Sequence, residues 1–345
     1  MDIETAQTHF IAEPGWLNTA SYGLPPDVAW EPLQEALADW RRGRVSWEGW
    51  NDAVGRSREA FARLVGASVS DVAIGAQVSQ MVGPIAESLP AGSTVLAAEE
   101  DFTSNLFPWL VQQRRGVNVR TTPAAKLAES IDEGTDVVTF SIVQSASGEV
   151  ADLDAITAAA RAVGAIIVVD GTQACGWLPV DATLFDAMAV GAYKWLLAPR
   201  GTGFLVTNAR LREWVVPSQA GWFAGDDPHT SYYGPPLRLA PDARRLDISP
   251  AWFNWIATGP AIDLLDDVGV EQIQRHNVSL ANRFRAGLGL EPSDSAIVSA
   301  DVPDAEAKLA AAGIRAAVRG GRMRASFHLY STEDDVDAAL DALTH

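Results

Sequence analysis

Lys194 and Asp170 are the two residues whose surroundings call for a chemical explanation. Lys194 sits in Gly-Ala-Tyr-Lys-Trp-Leu-Leu, an apolar and aromatic setting, in a chain with 26 basic residues of which only Lys126, Lys194 and Lys308 are lysines. The other two lie in Ala/Leu/Glu-rich stretches that read as amphipathic helices facing water. Desolvated lysine, unlike arginine, can lose its proton and attack a carbonyl. Asp170 ends the most hydrophobic run of the chain, Ile-Ile-Val-Val-Asp-Gly-Thr-Gln. A carboxylate there either caps the next turn or answers a cation, because burying it alone is costly. A protonated pyridine nitrogen is one such cation, and pairing with Asp170 would keep the ring electron-poor. Gln173, three residues on, could reach a phenolic oxygen on that ring. Ser79 and Gln80 follow a short apolar run and open a helical pattern. They read either as an ordinary N-cap or as a phosphate site made of free amides at a helix start.

The elements that must position these groups follow from hydrophobic periodicity. Helical patterns cover Asp27 to Arg42 and Ser46 to Val65, each followed by glycine. Short apolar runs then alternate with helical ones. Val72 to Ile74 leads into a helix from Ser79, and Thr94 to Ala97 into one from Thr103. Val137 to Ile142 precedes a helix from Leu153 to Val163. Ile166 to Val169, Ala187 to Val190 and Gly203 to Val206 complete the series. Strands apolar on both faces and alternating with helices predict a mostly parallel, doubly covered sheet with ligands beyond the carboxyl ends of its strands. Pro217 to Pro250 is rich in Gly, Pro, Asp and Tyr, too long for a passive link, and reads as a functional loop or an arm reaching a neighbour. Helices are predicted again at Trp252 to Asp267 and Val270 to Leu288. Strands are predicted near Ile314 to Val318 and Arg322 to Phe327, with a last helix from Thr332 to Leu343. The fold class is α/β, with a large unit over 18–250 and a smaller C-terminal αβ unit over 251–345 joined by 1–17.

Bulk composition excludes several functions. A net charge of −18 argues against a nucleic-acid-binding surface, which needs clustered Lys and Arg. No apolar run is long enough to span a bilayer and the N-terminal residues do not pattern as a signal peptide, so the expected location is the cytoplasm. The single cysteine, Cys175, precludes an internal disulfide. His9, His229, His276, His328 and His345 are scattered without ligand spacing, and no metal is expected. No GxGxxG follows an early strand, which argues against a dinucleotide-binding dehydrogenase.

The order of these pieces resembles the class V aminotransferase family, of pyridoxal-5′-phosphate (PLP) fold type I, and most nearly its cysteine desulfurase/selenocysteine lyase-like branch. The resemblance runs from about Leu17 to Leu343. It is carried by Asp170-Gly-Thr-Gln173, by Tyr193-Lys194-Trp-Leu-Leu-Ala-Pro-Arg-Gly-Thr-Gly203 and by Arg324-Ala-Ser-Phe-His-Leu-Tyr-Ser-Thr-Glu333. It implies that Lys194 holds PLP as a Schiff base and moves the α-proton, while Asp170 pairs with the pyridine nitrogen and Gln173 meets the phenolic oxygen. Phe102 takes the ring-stacking position, with Asn105 and Trp109 supporting it. Ser79, the Gln80 backbone and Tyr193 hold the phosphate, and Ser249 reaches the phosphate of the other subunit in a homodimer. Arg324 clamps the substrate carboxylate, a task suited to its two-pronged donor geometry. Ser21 and Tyr22, in Ala20-Ser21-Tyr22-Gly23, lie beside the substrate. Trp222, with Phe223, His229, Tyr232 and Tyr233 of the long loop, either shapes the pocket or packs the loop.

Two departures narrow the chemistry. Desulfurases place a mobile cysteine shortly before the carboxylate-binding arginine; here that segment, Val318-Arg-Gly-Gly-Arg-Met-Arg324, is short and has none. Cys175 lies beside the cofactor strand and reads as a packed residue. Phe102 stands where desulfurases carry histidine, and Gly191 where a phosphate-binding serine is common. A persulfide-forming desulfurase is therefore not expected. The implied activity is PLP chemistry at Cα or Cβ of a small α-amino acid, aminotransferase first. A cysteine-independent C–S lyase, an amino-acid epimerase and a non-enzymatic PLP-fold protein are the alternatives.

Overall fold

The computed structural model describes residues 1–344, so His345 lies outside the described residues. Seven strands form the main sheet: β1 Val72–Gly75, β2 Thr94–Ala98, β3 Asn118–Thr122, β4 Val137–Ser141, β5 Ile166–Asp170, β6 Ala187–Gly191 and β7 Gly203–Thr207. Their order is β1-β7-β6-β5-β4-β2-β3. Strands β2 to β6 pair in parallel, while β7 runs antiparallel between β6 and β1. This is the mostly parallel α/β sheet that the alternation of apolar runs and helices predicts.

Strand β5 shows why the pattern is legible. Its side chains alternate between faces, and both faces are dry: Ile167 and Val169 enter one hydrophobic cluster, Val168 the other. Burying each such side chain contributes about 1.5–3 kcal/mol. The strand after it, β6, is buried throughout. Both end at the same edge of the sheet, delivering Asp170 on β5 and, just past β6, Lys194.

A second sheet of three antiparallel strands, β8 Ile297–Ala300, β9 Ala317–Arg319 and β10 Arg322–Ser326, has the order β8-β10-β9. Its core joins Leu17, Phe284, Val298, Met323, Ala325 and Phe327. The helix Trp252–Val268 packs instead against the helices Asp27–Arg41 and Trp47–Leu64, and its Trp255, Ile262 and Leu265 belong to the large cluster. The N-terminal segment stitches the two sheets together. The Leu17 amide donates to Arg315 O, Ser326 donates back to Leu17 O, and the Gly23 amide donates to Tyr193 O.

The long stretch after Pro217 is irregular, with short 3-10 turns at Trp222–Ala224, Pro228–Thr230 and Ala243–Leu246. Its end is anchored by a buried ion pair. Arg58 Nη2 lies 2.6 Å from Asp247 Oδ2, and Asp247 also accepts the Ile74 amide at 2.8 Å. No described helix is long and apolar enough to cross a membrane.

Candidate functional site

A cavity of about 480 Å³ opens at the carboxyl ends of β5 and β6. Asp170, Thr172, Gln173, Tyr193 and Lys194 line it from the main sheet, Phe102 from the start of a helix, and Arg319 and Arg324 from the small sheet. Residues separated by more than a hundred positions in sequence therefore converge on one space.

Lys194 is 6 % exposed, and its Nζ lies 5.4 Å from the centroid of the Phe102 ring and 5.6 Å from that of Tyr193. Burial pulls its amine down to about 8, partly opposed by the negative charge of Asp170. Asp170 is likewise buried, which raises its carboxyl, while the Thr172 hydroxyl, the Thr172 amide and Lys194 hold it back. Its Oδ1 accepts the Thr172 amide at 2.8 Å, and no described basic side chain forms an ion pair with it.

Arg324 crosses from β10 and is 1 % exposed. Its Nη1 donates to the carbonyl and, at 3.2 Å, to the hydroxyl of Ser145, and its Nη2 donates to Ser21 Oγ at 2.7 Å. Its Nε is buried without a partner. Burial first, and neighbouring Arg319 second, lower its guanidinium to about 10. A chain of hydrogen bonds links this arginine to the lysine segment. Gln173 Nε2 donates to Ser145 Oγ at 2.9 Å and to Ala20 O at 3.1 Å, and its Oε1 accepts from Trp195 Nε1 at 2.7 Å. His328 Nδ1 accepts the Leu329 amide, so its Nε2 carries the proton and donates to Trp195 O at 2.9 Å. Gln173 is thus on the cavity wall, with both hydrogens of its amide and its oxygen engaged by the protein.

Phe102 is 46 % exposed and is held by the residue before it. The buried Asp101 carboxylate accepts from Asn105 Nδ2 at 2.7 Å, the Ser141 amide at 3.0 Å and Gln144 Nε2 at 2.8 Å. Asn105 also donates to Thr139 Oγ1 at 3.1 Å, which ties the Phe102 turn to β4.

Several sequence-predicted residues lie off the cavity wall. The helix begins at Val78, one residue before the predicted Ser79, so Ala76, Gln77 and Val78 form the wall instead of Ser79 and Gln80. The Gln80 amide already donates to Gln77 O, and its side chain folds back to accept the Ala76 amide at 3.0 Å and donate to Gln219 at 2.9 Å. The amides of Val78 and Ser79 have no acceptor among the described residues. Tyr22 packs its ring on Tyr193, 5.6 Å between centroids, beside the cavity rather than in it. Trp222 is turned away: its 3-10 turn lays it against Trp47, Phe223, Tyr232 and Trp252. Ser249 is exposed and does not line the cavity of this chain. Cys175 is packed, its Sγ 3.9 Å from Met188 Sδ, and burial pushes its thiol far up.

Besides Ala76, Gln77 and Val78, sequence reasoning passed over other residues that line the wall, four of which bring polar or charged groups into its contacts. Thr172 Oγ1 accepts the Gly191 amide at 2.9 Å, and its hydroxyl also helps hold the Asp170 carboxyl down. Ser145 mediates between Gln173 and Arg324. Arg200 lies over the Tyr193 ring at 4.6 Å, and Arg319 stands at the mouth beside Arg324. Thr172 and Arg200 fall inside the motifs already quoted, where their types were the available signal; Ser145 has none.

Comparison with known proteins places this arrangement. The aminotransferase class-V family profile matches residues 48–301. Isopenicillin N epimerase of Streptomyces clavuligerus is 30% identical, over 99% of this chain and 98% of its own. A probable cysteine desulfurase of Methanothermobacter thermautotrophicus is 28% identical, over 67% of this chain and 60% of its own. The crystal structure of the cysteine desulfurase CsdA of Escherichia coli superposes with a TM-score of 0.86 at 20% identity, covering 100% of this chain and 98% of that one. With the matched profile spanning most of the chain and a full-length relative at that identity, the chain belongs to the class-V aminotransferase family of PLP-dependent enzymes.

Proposed function

We propose that this enzyme is an aminotransferase for a small α-amino acid, with Lys194 as its one proton carrier. The cavity has groups suited to PLP. Lys194 offers an amine already near neutrality for the aldehyde, and Asp170 a buried carboxylate without a basic partner for the pyridine nitrogen. The unclaimed Val78 and Ser79 amides, the Thr172 hydroxyl and Tyr193 suit the phosphate, with Ser249 of a second copy in a homodimer. Phe102 would lie against the ring, and Gln173 would meet its phenolic oxygen on releasing Ser145 or Ala20. Bound PLP supplies an electron-withdrawing ring that weakens the bonds to the substrate's Cα. Arg324, held by Ser21 and Ser145 with a free Nε, receives the α-carboxylate. Residues 18–250 hold the cofactor in this scheme and 251–345, with 1–17, supply the small sheet that faces it, in a cytoplasmic enzyme.

A single observation favours transamination over epimerisation. Of the titratable side chains on the wall, arginine gives up no proton in water, burial raises Tyr193 above its ordinary value, and Asp170 is committed to the ring. Only Lys194, at about 8, can both take and return a proton near neutral pH. One such group suits a proton shift along one face of the substrate. Epimerisation is served better by a second acid on the other face.

The test is to load the protein with PLP, record its visible absorption beside Lys194→Ala, and add L-amino acids with product analysis. Release of a keto acid together with conversion of the cofactor to its amine form supports transamination. Pyruvate with ammonia or sulfide at unchanged absorption would make it a β-eliminating lyase, and D-amino acid an epimerase. An absorption spectrum identical in Lys194→Ala would remove Lys194 from the scheme.

A further inference from the structure

The small-sheet wall of the cavity carries more positive charge than one α-carboxylate requires. Arg324 Nη2 donates to Ser21 Oγ at 2.7 Å, and Arg319 Nη2 donates to the same oxygen at 3.3 Å. Neither guanidinium has a carboxylate partner among the described residues, in a chain with 44 acidic residues against 26 basic ones. An acidic protein has left two adjacent cations unneutralised at its cavity.

Backbone geometry keeps them together. In the β9–β10 hairpin Arg322 pairs with Arg319 and Arg324 with Ala317, so Arg319 and Arg324 are diagonal neighbours on one face. The two residues between the strands, Gly320 and Gly321, have φ of +55° and +78°, a tight two-residue turn that fixes this register. Arg319 therefore stands at the exposed mouth directly beyond the buried Arg324, and its Nη1 is held by Val318 O at 2.8 Å. Like charges so placed repel, and the repulsion is relieved when anions lie against both.

We propose, resting on the carboxylate role given to Arg324 above, that Arg319 receives a second anionic group on the substrate, so that the preferred substrate is a short acidic α-amino acid. The α-carboxylate lies on Arg324 and the side-chain carboxylate on Arg319. Because both guanidinium groups reach one hydroxyl oxygen, the two acids must be joined by a short spacer of the kind found in aspartate or glutamate.

Titration calorimetry of the PLP-loaded protein with succinate, glutarate and butyrate tests this without any reaction, since none carries an amine. The better of the two diacids is expected to bind about tenfold more tightly than butyrate, the scale of one charge-assisted hydrogen-bonded contact. In Arg319→Ala that ratio is expected to fall to about twofold or less, with Arg319→Lys in between. A wild-type ratio near one, a ratio unchanged in Arg319→Ala, or equal weakening of diacid and monoacid would each overturn the proposal. Absence of amino-acid turnover would count against the aminotransferase scheme alone, because the diacid ratio is measured independently of it.

Discussion

On its main-sheet side the cavity takes Asp170, Thr172 and Lys194 from the ends of two adjacent parallel strands, and each is placed by chain within a few residues of a buried strand. On its small-sheet side Arg324 and Arg319 reach in from a hairpin, and their partners Ser21 and Ser145 come from distant segments. The first wall is positioned by local geometry and surrounded by apolar core. The second is positioned by long-range polar contacts that must all form together. A division of labour follows: the rigid wall suits the cofactor, which every reaction of the family shares, and the assembled wall suits the substrate, which differs among relatives.

The sharpest way to break this division is Arg324→Ala. If the small-sheet wall serves substrate alone, kcat/KM should fall about 100-fold, mostly through KM, while the cofactor's absorption stays as in wild type. Loss of cofactor along with substrate affinity would show that the walls are not separable. A smaller effect probes the main-sheet wall. The rate at which the apoprotein captures PLP should rise with pH through about 8, since the protonated amine cannot attack, and should fall about tenfold for each unit below that value. Because Asp170 holds the Lys194 amine up against burial, Asp170→Asn should move the midpoint lower. A midpoint that stays, or moves up, would mean Asp170 is not charged beside the lysine. The smallest effect belongs to Trp222→Ala, whose ring contacts neither wall. It should leave kcat/KM within about twofold while lowering the melting temperature, as expected for distant, uncoupled sites.

How much of this could be read from the chain alone depended on distance in sequence. Unbroken apolar runs made β4, β5 and β6 legible, because burial on both faces leaves no room for polar alternation. The edge strand β3 was not, since its Asn-Val-Arg-Thr-Thr faces water and lacks that signal. Asp170 and Lys194 stood out because each is a charge in an apolar context. Phe102, Arg324 and Ser21 were reached through family resemblance, because nothing local marks a residue whose partners lie hundreds of positions away. The misplacement of Ser79 and Gln80 arose from one residue of helix phase, enough to turn a side chain off the wall. Trp222 misled because a tryptophan in a glycine-rich loop looks the same from sequence whether it faces a pocket or other aromatic rings.

Gly23 has one more consequence. Its amide bonds Tyr193 O, and any side chain there would collide with the Lys194 carbonyl. The segment before it is pinned by Arg315 and Ser326, while Ser21 holds Arg324. Residues 17–23 leave the ribosome long before residues 315–326 are made, and until then can dock only on the main-sheet side, through Gln173 and Tyr193. The lysine and aspartate can fold into their sheet during synthesis, but the pocket around them closes only when the far end of the chain returns to its beginning.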